Sequence, residues 1–196
     1  MQIIALTGSI ASGKSTIRAM CQHMGIPAID MDQIAHALLV PGPGGKAMQQ
    51  VASQFPEAAT KRGVDRQRLG ELVFADPKKL KQLETILHPY IKQEVGRWLT
   101  IQRRLGRKQV VVEVPLLFET GMHRDYHHTI TTTASLPCIK GRALARPGMT
   151  ESKLRTILGR QWPQAKKQAH ADGVVVTGLG KGKARQDLMQ AISEQG

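Results

Sequence analysis

Short apolar runs separated by amphipathic stretches set the rhythm of this chain. Gln2 to Leu6 is a short apolar run and predicts a buried strand. After the loop Gly8 to Gly13, Ile17, Met20, Cys21 and Met24 fall on one face of a helix predicted over Lys14 to Met24. Gly25 is placed to end that helix in the left-handed conformation, and the stripe makes Cys21 a packing residue rather than a reactive thiol. Pro27 to Ile29 predicts a second strand with Asp30 and Asp32 at its carboxyl end. A helix over Met31 to Val40 then stops at the turn cluster Pro41-Gly42-Pro43-Gly44-Gly45. From Lys46 to Gly106 the pattern is helical; Asp76-Pro77 reads as an N-cap followed by a first-turn proline, and His88-Pro89 reads as a repeat of it. Gln109 to Val114 is a valine-rich buried strand, and His128 to Thr133 a weaker β-branched one. Helices are predicted over about Pro137 to Ala145 and Glu151 to Gln161, the latter capped by Thr150. Val174 to Val176 predicts the last strand, and the turn Gly178-Leu179-Gly180 leads to a closing helix from about Ala184. Strands alternating with helices predict an α/β fold with a parallel sheet covered on both faces.

Composition narrows the class. At 196 residues the chain suits one compact domain with small helical insertions, and 41% hydrophobic content excludes wholesale disorder. No apolar run approaches the ~20 residues of a bilayer helix, so no membrane span is expected. The first residues lack the basic region of a signal peptide, and Cys21 and Cys138 alone suggest neither a disulfide framework nor a zinc cluster. A cytoplasmic location is the expectation. The formal net charge of +13 favours polyanionic partners: nucleic acid, an anionic membrane or small phosphorylated molecules.

Gly8-Ser9-Ile10-Ala11-Ser12-Gly13-Lys14-Ser15 matches G-x-x-x-x-G-K-[ST] at every defined position, after an apolar strand and before an amphipathic helix. That context is what a phosphate-binding loop needs. Glycines let the backbone wrap closely around phosphate oxygens with consecutive N–H groups pointing inward. The helix start adds its unpaired N–H groups and positive dipole end. Gly8, Ala11, Ser12, Gly13, Lys14, Ser15 and Thr16 are therefore the expected nucleoside triphosphate-binding stretch, the ATP site if the nucleotide is ATP. Lys14 is placed to reach the β- and γ-phosphates, Ser15 to ligate Mg²⁺, and Thr16 to add a contact to the phosphate tail. Glu113, at the end of a buried strand, is a candidate to hold Mg²⁺ directly or through water. Asp30 and Asp32, two apart in an extended segment, point the same way, although either could simply cap the following helix.

The chain also resembles bacterial dephospho-coenzyme A kinases. The resemblance runs from Leu6-Thr7-Gly8 and Ser12-Gly13-Lys14-Ser15-Thr16 through Ile29-Asp30-Met31-Asp32, Ile34-Ala35 and Val40-Pro41-Gly42. It continues with Val73-Phe74, His88-Pro89 and Val114-Pro115-Leu116-Leu117-Phe118-Glu119, then Arg142, Arg146, Gln161 and Ala171-Asp172. The pairing of Asp-x-Asp with Pro-Leu-Leu-Phe-Glu is far more specific than the loop alone. The resemblance implies phosphorylation of the ribose 3′-hydroxyl of dephospho-coenzyme A by ATP and Mg²⁺, the last step of coenzyme A synthesis. It implies a P-loop nucleoside triphosphate hydrolase fold like that of the nucleoside monophosphate kinases: a five-stranded parallel core, a helical substrate-binding region and a lid. The core would take residues 1–30, 107–136 and 172–196, the acceptor region 31–106, and the lid 137–171. Carried over, Asp32 is the general base, Arg142 and Arg146 are lid arginines, and Asp30, Asp32 and His88 lie on the substrate side. His88 by its neighbours alone reads as part of a helix start. The chain departs from the pattern at Glu113, where aspartate is usual, at Ile139 for glutamine, and at Thr156 for arginine. A further departure is Thr177 for asparagine, in a loop expected near the adenine.

The resemblance changes how the basic surplus is read. Between Cys138 and Arg185 eleven Lys or Arg residues face only Glu151 and Asp172, yet Trp162 is the sole aromatic there. A nucleic-acid surface would interleave stacking aromatics with its charges. A phosphoryl-transfer lid has its own use for arginines, because charge spreads over the equatorial oxygens in the transition state. Two alternatives stay open at this point: a P-loop kinase of another small metabolite such as a nucleoside monophosphate, and a nucleic-acid-binding P-loop protein.

Overall fold

The structure is a computed structural model and describes residues 1–41 and 45–193. The elements run β1 (Gln2–Gly8), α1 (Lys14–His23), β2 (Ala28–Asp30), α2 (Met31–Ala37) and α3 (Gly45–Gln54). A hairpin of β3 (Ala59–Thr60) and β4 (Gly63–Val64) precedes α4 (Arg66–Ala75) and α5 (Pro77–Arg104). There follow β5 (Gln109–Glu113), β6 (His128–Thr133), α6 (Leu136–Leu144), α7 (Glu151–Arg160), α8 (Gln164–His170), β7 (Gly173–Val176) and α9 (Lys181–Ser193).

Five strands form one sheet in the order β2-β5-β1-β6-β7. The pairings of β1 with β5, β1 with β6, and β6 with β7 are parallel. The register sets Leu6 beside Glu113, Gly8 beside Thr132, and Thr133 beside Val176. The carboxyl ends of β1, β5, β6 and β7 thus share one edge, where ligands bind in open α/β sheets. The apolar strands are buried as their composition predicts: Ile4, Leu6, Val111, Ile130 and Val175 pack with Ile17 and Cys21 of α1 and with Leu188 of α9. Burial pushes the Cys21 thiol up to about 12, so the packing reading of that residue holds.

The chain divides into two units, Met1–Ile29 with Leu105–Gly196, and Asp30–Arg104. The predicted lid span lies inside the first. There Ile139, Ala143 and Leu154 of α6 and α7 bury against Ala134 and the loop residue Ala11. The second unit has its own core, in which Val51, Phe55, Leu69, Val73, Leu87 and Ile91 converge.

Two expectations from the pattern are corrected. His88-Pro89 does not start a helix, because Pro89 lies inside the unbroken α5. An interior proline loses a hydrogen bond and costs about 3 kcal/mol, and the burial of Leu87 and Ile91 on either side offsets that cost. The helical reading of Lys46 to Gly106 overlooks the β3–β4 hairpin. Its turn needs Gly63 at φ +115, where a Cβ would meet Leu39 O at 2.7 Å, and Thr60 Oγ1 donates to Gly63 O at 3.0 Å. The helix α8 carries no apolar stripe, since its one fully buried side chain is Lys167, so periodicity could not find it. The turn cluster beginning at Pro41 falls on Gly42, Pro43 and Gly44, outside the described residues.

Candidate active site

Gly8 closes β1 at φ +147, where a Cβ would strike the Thr132 side chain and lie 2.6 Å from Ser12 Oγ. Gly13 stands at φ +98 immediately before α1, where a Cβ would come within 2.9 Å of Thr177 Cγ2. Only glycine suits either position. Between them the backbone curls into a loop in which Ser12 N–H donates to Ser9 O at 3.2 Å. Ala11 takes a left-handed conformation at φ 57. Lys14 Nζ folds back over the loop, donating to Gly8 O at 3.0 Å and Ser9 O at 3.1 Å. Ser15 and Thr16 are exposed on the first turn of α1, where Thr16 N–H donates to Gly13 O at 3.0 Å. The result is a tight loop between β1 and α1 with an ammonium group folded over its carbonyls.

The loop is held from outside by the neighbouring strand ends. Thr132 Oγ1 donates to Thr7 O at 3.2 Å, so the 2.6 Å bond between Ser12 Oγ and Thr132 Oγ1 has serine as donor. Thr177 Oγ1 donates to Ser12 O at 2.6 Å, with Thr133 O as a second acceptor at 3.3 Å. Arg142 clamps Thr177 with two bonds, Nη1 to Oγ1 at 3.0 Å and Nη2 to the carbonyl at 2.9 Å. Ile10 N–H donates to Gln161 Oε1 at 2.9 Å. Arg146 is exposed just beyond the end of α6.

The acidic candidates separate. Glu113 ends β5 almost fully buried, and its Oε2 accepts from Arg18 Nε of α1 at 2.8 Å. Asp30 caps α2: its Oδ1 accepts from Asp32 N–H at 2.9 Å and Gln33 N–H at 3.3 Å. Asp32 is exposed in the first turn of that helix. One turn on, His36 Nε2 accepts from Arg66 Nη2 at 3.1 Å, which puts the imidazole proton on Nδ1. Burial, then the Arg66 charge, lowers the pKa of His36 against the opposing pull of Asp32 and Asp30. His88 is exposed midway along α5. Among the described residues no group of three or more His, Cys, Asp or Glu side chains could hold a metal. No helix among them is long and apolar enough to cross a membrane.

A family model described as dephospho-CoA kinase matches residues 2–180. The chain belongs to the dephospho-CoA kinase family. A dephospho-CoA kinase of Mesorhizobium japonicum is 38% identical over 194 residues, covering 99% of this chain and 96% of that protein. A crystal structure of a Thermus thermophilus protein superposes with a TM-score of 0.86 at 31% identity, covering 100% of this chain and 98% of that one. A dephospho-CoA kinase from Campylobacter jejuni gives a TM-score of 0.68 at 26% identity, covering 98% and 96%. The chain is thereby a P-loop kinase, a nucleotide-binding transferase, with the five-stranded parallel core expected of the family.

Each departure from the family's pattern has a local setting. Glu113 is one methylene longer than aspartate and reaches Arg18. Ile139 belongs to the core that joins α6 and α7 to Ala11. Thr156 spends its hydroxyl on Ser152 O at 3.1 Å, one turn back in its own helix. Thr177 braces the loop. Arg18, His36 and Arg66 belong to no motif of the chain. The signal for two of them was the helical period: Arg18 follows Lys14, and His36 follows Asp32, by four residues.

Proposed function

We propose that this chain transfers the γ-phosphoryl group of ATP to the ribose 3′-hydroxyl of dephospho-coenzyme A, forming coenzyme A in the cytoplasm. The observation that carries the proposal is the loop around Lys14, with the lysine ammonium folded over the Gly8 and Ser9 carbonyls at the start of α1, in a chain of this kinase family. Gly8, Ala11, Ser12, Gly13 and Thr16 line or shape the ATP site, and Thr177 joins it through Ser12. Lys14 turns from its carbonyl partners toward the β- and γ-phosphates.

A magnesium ion fits the donors present. Mg²⁺ beside a nucleotide is held largely by phosphate oxygens and water, with one or two protein oxygens. The exposed Ser15 hydroxyl is one such oxygen, and Glu113 the other, acting through water while paired with Arg18. Held there, the ion would supply positive charge that neutralises the charge developing on the phosphate oxygens. The acceptor is assigned to the Asp30–Arg104 unit, with Asp32 as general base and His88 on the substrate side. Asp32 takes the 3′-hydroxyl proton as the oxygen bonds to the γ-phosphorus and the bond to the β-phosphate oxygen breaks, releasing ADP. Asp30 holds the turn that presents Asp32. Arg142 and Arg146 act on the equatorial oxygens, where the transition state spreads its charge.

The test is to incubate the protein with Mg-ATP and a panel of hydroxyl acceptors and identify products by mass. Dephospho-coenzyme A should be converted and an analogue without the 3′-hydroxyl left untouched. A much faster reaction with a nucleoside monophosphate would refute the acceptor while leaving the ATP site intact.

A further inference from the structure

Two motif residues of this chain, Glu119 and Gln161, have no part in the chemistry above, yet they lie at the two ends of one network. Glu119 follows β5 and is nearly buried, and its Oε1 receives two groups. Trp162 N–H donates to it at 2.7 Å, and Lys167 Nζ, 1% exposed, lies 2.8 Å away as an ion pair. The Lys167 contact lacks the angles of a hydrogen bond, and Glu119 Oε2 is buried with no hydrogen-bond partner among the described residues. Taking two charges out of water this way is expensive, and such a pair contributes little net stability. Its structural consequence is local. It pins the backbone between α7 and α8, where the Trp162 ring also stacks on Phe118 at 5.8 Å and 11°. The residue preceding Trp162 is Gln161, whose side chain accepts from Ile10 N–H of the phosphate loop at 2.9 Å.

The loop needs such a brace. Ala11, the next residue, holds a left-handed conformation that is unfavourable for any residue but glycine. An acceptor on the preceding peptide orients that unit and limits the ways the loop can relax. Because Ile10 N–H is turned toward Gln161, this contact shapes the loop and is not itself a free donor.

We propose that Gln161 is a positioning residue for the phosphate-binding loop, and that the buried Glu119–Lys167 pair is the anchor that aims it. The kinetic consequence rests on the loop binding ATP as proposed above; the structural consequence does not.

Gln161→Met removes the acceptor with little change of shape. In nucleotide-free protein it should speed amide hydrogen exchange at Ile10 about two- to tenfold, while the β1 amide of Leu6 keeps its wild-type rate. The KM for ATP should rise by about the same factor, with the KM of the acceptor substrate within twofold of wild type. The neutral pair Glu119→Gln with Lys167→Met should reproduce the Ile10 effect, and adding Gln161→Met to it should change nothing more. Unchanged Ile10 exchange in Gln161→Met overturns the positioning role, whatever the protein phosphorylates. Additive effects of the pair and Gln161→Met overturn the anchor. Should the paired variant not fold, Gln161→Met alone decides the positioning role. Faster Ile10 exchange with an unchanged KM for ATP would instead refute the loop's role in ATP binding.

Discussion

Replacing Thr177 by valine keeps the shape of a buried side chain and removes one hydroxyl, so its effect can be worked out from three contacts. The hydroxyl donates to Ser12 O at 2.6 Å and accepts from Arg142 Nη1 at 3.0 Å. Its longer contact with Thr133 O, at 3.3 Å, adds little. In the variant the Ser12 carbonyl faces a methyl group in a nearly dry position, and a buried acceptor left without its partner costs about 1–3 kcal/mol. Arg142 keeps its 2.9 Å bond to the Thr177 carbonyl and is exposed enough for water to replace the other. The net loss is therefore about 1–3 kcal/mol, or about 2–12 °C of Tm for a chain of this length. Ser12 O belongs to the peptide that enters Gly13, so the loosened loop should also show a higher KM for ATP. Thr177→Ser keeps the hydroxyl and should stay close to wild type in both respects. Thermal denaturation with and without a non-hydrolysable ATP analogue, alongside steady-state kinetics, reads both effects. A valine variant that melts and binds ATP as wild type does, or a serine variant as impaired as valine, would show that the hydroxyl does not brace the loop.

Asp32→Asn should slow turnover by about 10²–10⁴-fold, the usual range for loss of a general base, with ATP affinity nearly unchanged. Asp30→Asn keeps the Oδ1 that caps α2 and should be mild, so normal turnover in the Asp32 variant with loss in the Asp30 variant would reverse the two assignments. Asp187 supplies a pH signature. Burial raises its pKa, but the hydrogen bond from Lys183, the Val176 N–H and the Lys183 charge together bring it below the ordinary 3.8. A carboxyl depressed in the fold stabilises above its unfolded pKa and loses that contribution as pH falls through the folded one. The Tm gap between wild type and Asp187→Asn should accordingly shrink below about pH 4. A gap that stays constant from pH 7 to pH 3 would rule that coupling out.

Much of the site was legible without coordinates because its chemistry is carried by local sequence. A glycine at each end of the loop, a lysine at the helix start and a strand before it are consecutive residues, and backbone sterics leave them few conformations. The strands of Val and Ile were equally plain. So were the caps at Thr150, which accepts from Lys153 N–H, and at Asp76, which accepts from Lys78 N–H. The weak strand β6 explains its own ambiguity: it reads as polar because its threonines are bonded. Thr129 pairs with Asp172, Thr132 with Ser12, and Thr133 Oγ1 donates to Gln164 Oε1 at 2.8 Å.

Contacts between residues far apart in the chain were decided only in the folded molecule. Glu113 and Arg18 pair because β5 lies beside β1 and α1 follows β1. Thr177 meets Ser12 because β7 and β1 flank β6 in one sheet. Neither pairing follows from spacing, since strand order is settled by how crossovers pack rather than by any one segment. The same holds for Pro89, where local propensity predicts a helix start and the core around Leu87 and Ile91 carries the helix straight through. Sequence alone determined the loop, its lysine and the family; tertiary structure determined what holds the loop in shape, because a hydrogen bond between distant residues exists only once the sheet has brought them together.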